Sequence, residues 1–260
     1  MRKFINNIKK YYKYAIYAAK SELKSEVADS YLNWLWWVVE PFCFMLIYTF
    51  IFGVVFKNNT PYFASFVFIG LTAWDFFNRM ISGSVKLIIN NRDLVTKVYV
   101  PKYILLLSKS FTYLFKMGIS LLITFGLMIY QGVPFSWHVL LIIPIFIVLY
   151  LFTFGVGMIL MHFGVTLNDL GNLTNIALKM VFYLSGIFYN IHERLHGTIK
   201  FLLLRANPIA FCMNELRKVM LQSTLPSIGG LAFWLVIGIL LCVLGVHLIH
   251  KNENSYAKVI

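Results

Sequence analysis

Asn90-Asn91-Arg92-Asp93-Leu94-Val95-Thr96-Lys97-Val98-Tyr99-Val100-Pro101-Lys102 is a polar segment between two long apolar runs. Asparagine at its start and proline near its end are helix start and stop signals. Between them lie the apolar residues of a short amphipathic turn, Leu94, Val95, Val98 and Tyr99. Basic side chains outnumber acidic ones here, which favours the cytoplasmic side of a membrane. We interpret residues 90–102 as an ordered cytoplasmic loop to which a soluble partner docks.

The composition of the whole chain indicates a polytopic membrane protein. Of its 260 residues, 60% are hydrophobic and 13% are charged, whereas soluble domains carry about 25% charged residues. The mean hydropathy is +0.76, and several apolar runs reach the roughly 20 residues needed to cross a bilayer. The net charge of +13 comes from basic residues that flank these runs. Membrane topology therefore explains the charge better than a nucleic-acid partner does.

The apolar runs predict an all-α fold with six transmembrane helices in a single domain, residues 1–260. The predicted spans cover about 33–56, 62–88, 103–130, 137–162, 173–189 and 228–250. Residues 1–28 have an amphipathic pattern that predicts a helix in the cytoplasmic membrane interface, with a soluble docking helix as the alternative. Most Lys and Arg residues outside the spans lie on the side of the two termini, so both termini are predicted to be cytoplasmic.

Residues 191–228 contain two pieces too short to span, 198–204 and 208–221, on either side of Asn207-Pro208. The second piece is amphipathic, and Pro208 suits a first helical position. This pattern predicts a re-entrant helical hairpin that enters the membrane from outside, before the last span. Its basic charge conflicts with an external location, although the positive-inside rule was derived from short open loops.

Charged residues also fall inside the predicted spans, among them Glu40, Asp75, Arg79 and Lys116. Asp75 and Arg79 are four residues apart with the acid first, which predicts an ion pair on one helix face. Glu40 and Lys116 have no such neighbour. Because isolated charges are costly in a membrane, these two are predicted to neutralise each other or to face a wet pathway.

One motif suggests metal chemistry. His192-Glu193-Arg194-Leu195-His196 has the H-E-x-x-H pattern, in which two histidines on one helix face bind zinc and the glutamate acts as a base. Gly197 follows at once, however, so a polar turn at the membrane surface is the favoured interpretation and a zinc intramembrane protease is a remote alternative. The chain contains no Gly-Lys dipeptide and hence no Walker A loop. We expect no catalytic residues, bound metal or cofactor in this chain.

Four segments together resemble the permeases of type-2 ABC exporters, the class that exports O-antigen, teichoic acid and other lipid-linked polysaccharides. The segment Ser30-Tyr31-Leu32-Asn33-Trp34-Leu35-Trp36-Trp37-Val38-Val39-Glu40-Pro41 is similar to their first-span signature, and residues 97–102 are similar to their coupling segment. Residues 182–189 resemble the end of the fifth span, and Asn207-Pro208 with Arg217 resembles the re-entrant hairpin. Two residues depart from the family pattern: Asn33 stands where glycine is usual, and Gly186 where proline is common.

The resemblance implies a homodimeric permease in the bacterial cytoplasmic membrane, bound to two ABC ATPase subunits that hold ATP and Mg²⁺. The dimer would enclose a channel that moves a lipid-linked glycan outward, and an exporter of a drug or small lipid is the alternative. The implied ATPase-coupling residues are Arg92, Asp93, Leu94, Val95, Val98 and Tyr99. The implied channel residues are Tyr31, Trp34, Trp36, Trp37, Glu40, Tyr183, Phe188 and Tyr189. The implied hairpin gate consists of Asn207, Pro208 and Arg217.

Overall fold

The computed structural model describes residues 2–28, 31–55, 60–97, 100–190, 203–253 and 256, and every regular element in them is helical. The α-helices whose bounds both lie in the described residues are α1 (Arg2–Val27), α2 (Trp36–Tyr48), α3 (Phe63–Val85), α4 (Leu87–Asn90), α5 (Arg92–Lys97), α6 (Lys102–Tyr130), α7 (Ile142–Thr166), α8 (Leu170–Leu184), α9 (Pro208–Leu221) and α10 (Ile228–Lys251). A 3-10 turn, Asn33–Leu35, precedes α2, and a π-helical segment, Thr49–Val55, follows it. A second 3-10 turn, Trp137–Leu141, leads into α7.

Four helical segments in the described residues are long and apolar enough to cross a membrane: Asn33–Val55, Lys102–Tyr130, Trp137–Thr166 and Ile228–Lys251. The prediction of an all-helical polytopic membrane protein is therefore confirmed. The other two predicted spans are outside this set for different reasons. Helix α8 has 15 residues, which is about 22 Å at 1.5 Å per residue. Helix α3 has 23 residues, but Asp75, Asn78 and Arg79 lower its hydropathy.

At both departures from the family pattern, the residue present suits the backbone. Asn33 has φ +48°, and asparagine is one of the few residues besides glycine that tolerates the left-handed region. Gly186 has φ +67°, whereas the ring of proline holds φ near −65°. The turn after α8 therefore could not form in this way with proline at position 186.

Two apolar clusters hold the helices together. The first joins α3, α7, α9 and α8 around residues such as Ile69, Leu149 and Met213. The second joins α1, α4, α6, α7 and α10 around Ile88 and Ile104. It also includes residues of the 90–102 segment, so that segment is packed against the ends of several long helices.

Helix α1 packs along α6 through a face centred on Ala15, which is fully buried. Three polar contacts follow this face: Asn7 with the Tyr103 hydroxyl, Glu22 with Lys109, and Glu26 with Lys116. One face of the amphipathic helix in residues 1–28 therefore packs against α6 of the same chain. This agrees in part with the alternative interpretation, in which residues 1–28 form a docking helix and not a membrane-interface helix. A second strip remains exposed, with Tyr12, Ile16 and Tyr17, and for this strip the interfacial role stays a prediction.

Glycines allow unusually close approach of helix backbones around α7. A Cβ atom at Gly155 would lie 2.8 Å from the backbone nitrogen of Cys242 on α10. A Cβ atom at Gly164 would overlap the carbonyl oxygen of Val85, at the end of α3. Small residues serve the same purpose in membrane helix pairs generally, because dispersion contacts between backbones replace the hydrophobic effect.

Tyr256, in the C-terminal tail, packs into the second cluster. Its hydroxyl lies 2.7 Å from Nδ1 of His162 on α7. Burial, reinforced by the nearby Glu253 carboxylate, raises the pKa of Tyr256 well above its usual value. The raised pKa extends to higher pH the range over which the hydroxyl stays protonated, and its contact with His162 ties the tail to α7.

Candidate functional site

A cavity of about 760 Å³ opens between the first span, α3, α6 and α8. Five charged side chains lie on its wall, and we call this group the charged end: Glu40, Asp75, Arg79, Lys116 and Lys179. Seven aromatic side chains also lie on the wall. Trp37 and Trp74 are close in the chain to Glu40 and Asp75, and the other five form what we call the aromatic end: Phe44, Tyr48, Phe68, Phe182 and Tyr183.

The order of residues along the helices separates the two ends. On the first span, Glu40 comes one turn before Phe44, and on α8, Lys179 comes one turn before Tyr183. Helix α3 runs in the opposite direction to the first span, since Glu40 contacts Arg79 in the later part of α3, whereas Gly53, later in the first span, lies beside Phe63 at the start of α3. The charged side chains therefore lie at one level of the cavity and most of the aromatic ones at the other.

Arg79 lies between two carboxylates. Its Nε donates to Oδ2 of Asp75 at 2.7 Å, and its Nη2 donates to Oε1 of Glu40 at 3.3 Å. The predicted Asp75–Arg79 pair is confirmed. Through Glu40, the same guanidinium also ties the otherwise little-buried first span to α3.

The predicted pairing of Glu40 with Lys116 is wrong. The Lys116 ammonium lies 2.6 Å from Oε2 of Glu26, which α1 brings to this level by packing along α6. Both Glu40 and Lys116 nevertheless line the cavity, in agreement with the alternative that they face a polar pathway.

We expect a double-mutant cycle on Lys116→Met and Glu26→Gln to show a coupling free energy of about 0.5–3 kcal/mol, because the two side chains are in direct contact. The measurement is unfolding of the purified protein in detergent. The matched cycle on Lys116→Met and Glu40→Gln should be additive to within about 0.5 kcal/mol. Coupling in the second cycle and additivity in the first would restore the Glu40–Lys116 pair.

The expected channel residues differ in their position relative to the cavity: some line it, some are exposed outside it, and two lie beside its aromatic end. Trp37, Glu40 and Tyr183 line the cavity. The other aromatic residues at the start of the first span are exposed away from it: Tyr31, Trp34 and Trp36.

Phe188 and Tyr189 lie beside the aromatic end. The Phe188 ring is buried and stacks on Phe52 at 4.3 Å and against Tyr48 at 4.7 Å. The Tyr189 hydroxyl donates to the carbonyl of Tyr183 at 3.2 Å. Phe188 therefore connects the turn after α8 to the first span, and Tyr189 connects the same turn to the end of α8.

Asn207 and Pro208 start α9 as the sequence pattern indicates. The Asn207 side-chain oxygen accepts from the backbone N–H of Ile209 at 3.0 Å and of Ala210 at 3.2 Å, which is helix N-capping. Pro208 is the first helical residue. The Asn207 amide also donates to the hydroxyl of Ser185 at 2.9 Å and so connects α9 to the turn after α8.

Arg217 reinforces this connection from the interior of α9. Its guanidinium donates to the carbonyls of Phe66 at 3.1 Å, Gly186 at 2.8 Å and Ile187 at 2.8 Å, and only 6% of the residue is exposed. Gly70 makes room for it, since a Cβ there would lie 2.7 Å from Nη2. Arg217 therefore holds α9, α3 and the turn after α8 together.

The 90–102 segment presents a different surface from the one predicted. Val95 is buried in the second apolar cluster and Leu94 packs against it, so neither lies open for a partner's groove. A helix as short as α5 shows the same amphipathic pattern whether its apolar side faces a partner or the core of its own chain. The exposed side carries Arg92, Asp93 and Lys97. Val98 and Tyr99 lie outside the described residues.

The H-E-x-x-H motif, His192 to His196, also lies outside the described residues, as does the first part of the predicted hairpin, 191–202. Among the residues that are described, no group of three or more His, Cys, Asp or Glu side chains is arranged to hold a metal ion.

The chain is similar in sequence to known proteins over nearly its whole length. It is 27% identical over 260 residues to the O-antigen export system permease protein RfbA of Myxococcus xanthus, covering 99% of each chain. Two proteins of that name from Klebsiella pneumoniae are each 26% identical over 246 residues, covering 92% of each chain. Residues 16–221, which include every residue of the cavity wall, match the model of the ABC-2 type transporter family. The chain therefore belongs to the ABC-2 type transporter family and is a multi-pass membrane component of a transporter.

Proposed function

We propose that this chain is the permease subunit of an ATP-driven exporter that moves a lipid-linked polysaccharide, of the O-antigen or teichoic acid kind, across the cytoplasmic membrane. The names of the relatives support this substrate class. The observation in the structure that carries the proposal is the cavity with one charged and one aromatic end.

The chemistry of a lipid-linked glycan suits such a cavity. Its phosphate linkage is anionic and forms charge-assisted hydrogen bonds with cationic side chains. Its sugars have apolar faces that pack on aromatic rings such as those of Tyr48 and Tyr183. The substrate of a drug or small-lipid exporter has no comparable need for both the charged end and the aromatic end of the cavity. Membership of the ABC-2 type transporter family does not favour the other alternative, a zinc intramembrane protease.

Six spans complete the proposed topology, with α3 and α8 as the second and fifth. The charged residues of α3 are acceptable in a membrane because Asp75 and Arg79 pair with each other on the cavity wall. We place both termini and the charged end on the cytoplasmic side, and α9 in an external re-entrant hairpin.

A second copy of the chain is proposed to close the cavity. Almost none of the first span is buried within one chain, and α8 also has an exposed apolar face with Leu173, Ile176 and Met180. Both helices border the cavity, so a homodimer through these faces would enclose it. ABC ATPase subunits, which bind ATP and Mg²⁺, are the proposed source of energy.

The exposed side of α5 is the proposed docking point for the ATPase. Val95 is packed in the second apolar cluster with residues of α4 and α6. A displacement of α5 by the ATPase would therefore be transmitted to α4 and α6 through these side-chain contacts. We expect the double charge reversal Arg92→Glu, Lys97→Glu to reduce co-purification of the ATPase about tenfold or more, since like charges across an interface cost several kcal/mol.

The matched control for docking is Lys251→Glu, an exposed lysine at the end of α10. It should co-purify with the ATPase as the unmodified chain does. Full retention of the ATPase by the α5 double variant would place the docking surface elsewhere, with the exposed strip of α1 as the next candidate.

ATP hydrolysis by the purified permease–ATPase complex in nanodiscs tests the proposed substrate class. A lipid-linked glycan should stimulate hydrolysis, and a polyprenol without phosphate or sugar should not. Equal stimulation by the polyprenol, or by lipophilic drugs alone, would favour the alternative exporter.

A further inference from the structure

Helix α8 presents three distinct faces. Thr174 and Leu178 are buried against the rest of the chain, and Leu173, Ile176 and Met180 form an apolar exposed face. The third face lines the cavity with three residues spaced four apart: Asn175, Lys179 and Tyr183. The only charged side chain of α8, that of Lys179, is thus on the side that borders the cavity, together with the amide of Asn175.

Lys179 is the unusual member of this face. An ionised lysine within a membrane helix is costly and occurs where it faces a polar cavity or a charged partner. Arg79 is bound to Asp75 and Glu40, and Lys116 is bound to Glu26. Within the described part of the chain, Lys179 has no ion-pair partner. The charged end therefore offers one positive charge that is not already neutralised by a contact.

We propose that Lys179, assisted by Asn175, binds the phosphate that joins the glycan to its lipid carrier. This inference rests on the proposed function and assigns a residue to one part of the substrate. An anion at Arg79 would have to compete with two carboxylates in contact with the guanidinium, whereas an anion at Lys179 meets no such competitor.

The spacing on α8 fits the order of groups in the substrate. Residues four apart on a helix are about 6 Å apart along its axis. Tyr183 therefore lies about 6 Å beyond Lys179 on the same face, which is the scale of the step from a phosphate to the first sugar. With the phosphate on Lys179, the first sugar can pack against the Tyr183 ring.

The test is native mass spectrometry of the permease–ATPase complex with three probes: undecaprenyl pyrophosphate, undecaprenol and inorganic pyrophosphate. We expect Lys179→Gln to weaken binding of undecaprenyl pyrophosphate about tenfold or more, because a charge-assisted hydrogen bond is lost. Lys179→Arg should stay within a few-fold of the unmodified complex. Binding of undecaprenol should be the same in all variants.

Lys251→Gln is the matched control outside the cavity and should bind all probes as the unmodified complex does. Undiminished binding of undecaprenyl pyrophosphate to Lys179→Gln would overturn the inference and leave the proposed function intact. Inorganic pyrophosphate that binds Lys179 as tightly as the lipid would also overturn it, in favour of a site for free anions. An unmodified complex that binds no probe and exports no glycan would overturn the proposed function itself.

Discussion

Replacing Arg217 with methionine should destabilise the folded protein by about 2 kcal/mol or more. Methionine removes the donor from the carbonyls of Gly186 and Ile187 in the turn after α8, and each buried acceptor left unpaired costs about 1–3 kcal/mol. The carbonyl of Phe66 also loses this donor but lies within α3 and keeps its helical hydrogen bond. A buried ionic group can sometimes be replaced by apolar residues without loss when its partners are replaced too. Here the partners are backbone carbonyls, which no side-chain substitution can remove.

Thermal unfolding of the purified protein in detergent measures this effect, together with its yield in membranes. Arg217→Lys should be intermediate, because an ammonium keeps the charge but lacks the planar fork that reaches several acceptors. Arg92→Met, which changes an exposed arginine on α5, is the matched control and should unfold like the unmodified protein. If Arg217→Met is as stable as the control, Arg217 does not hold α9 to the turn after α8.

Replacing Gly164 with valine should be about as severe, with a loss on the order of 3 kcal/mol or more. A Cβ atom at this position would overlap the carbonyl oxygen of Val85 and come within 2.7 Å of the carbonyl carbon. Both atoms are backbone, so no side-chain rotation relieves the clash, and overpacking of this kind costs typically 1–3 kcal/mol and occasionally more. Helix α7 would have to move away from the end of α3.

The matched control for Gly164→Val is Gly118→Val on α6, where no atom lies within 4 Å of the added Cβ. We expect Gly164→Val to lower the membrane yield and the unfolding midpoint, and Gly118→Val to change both little. Because Val85 directly precedes α4 and the 90–102 segment, any folded Gly164→Val protein should also lose glycan-stimulated ATP hydrolysis. Equal behaviour of the two valine variants would show that α7 and α3 are not in tight contact.

Local features of the site could be predicted from the sequence. The Asp75–Arg79 pair follows from helical spacing and the order of the two charges. The start of α9 follows from asparagine as an N-cap and proline at the first helical position. In both cases the interacting groups are within a few residues of each other, so the pattern in the chain contains the contact.

Features that depend on distant parts of the chain could not be predicted in this way. Glu26 reaches Lys116 only because α1 packs along α6, and the amphipathic pattern of residues 1–28 fits a membrane surface equally well. The acceptors of Arg217 are backbone carbonyls, which have no sequence signal. The close approach at Gly164 involves the backbone of Val85 on another helix, and no small-residue motif marks it.

The most direct test of the proposed function is the location of the polysaccharide in cells that lack this chain. If the chain is the permease of a lipid-linked polysaccharide exporter, its loss should remove the polysaccharide from the cell surface. The lipid-linked form should then accumulate on the cytoplasmic side of the membrane, and expression of the chain with its ATPase should reverse both changes. Unchanged surface polysaccharide, with no accumulation inside, would contradict the proposed function.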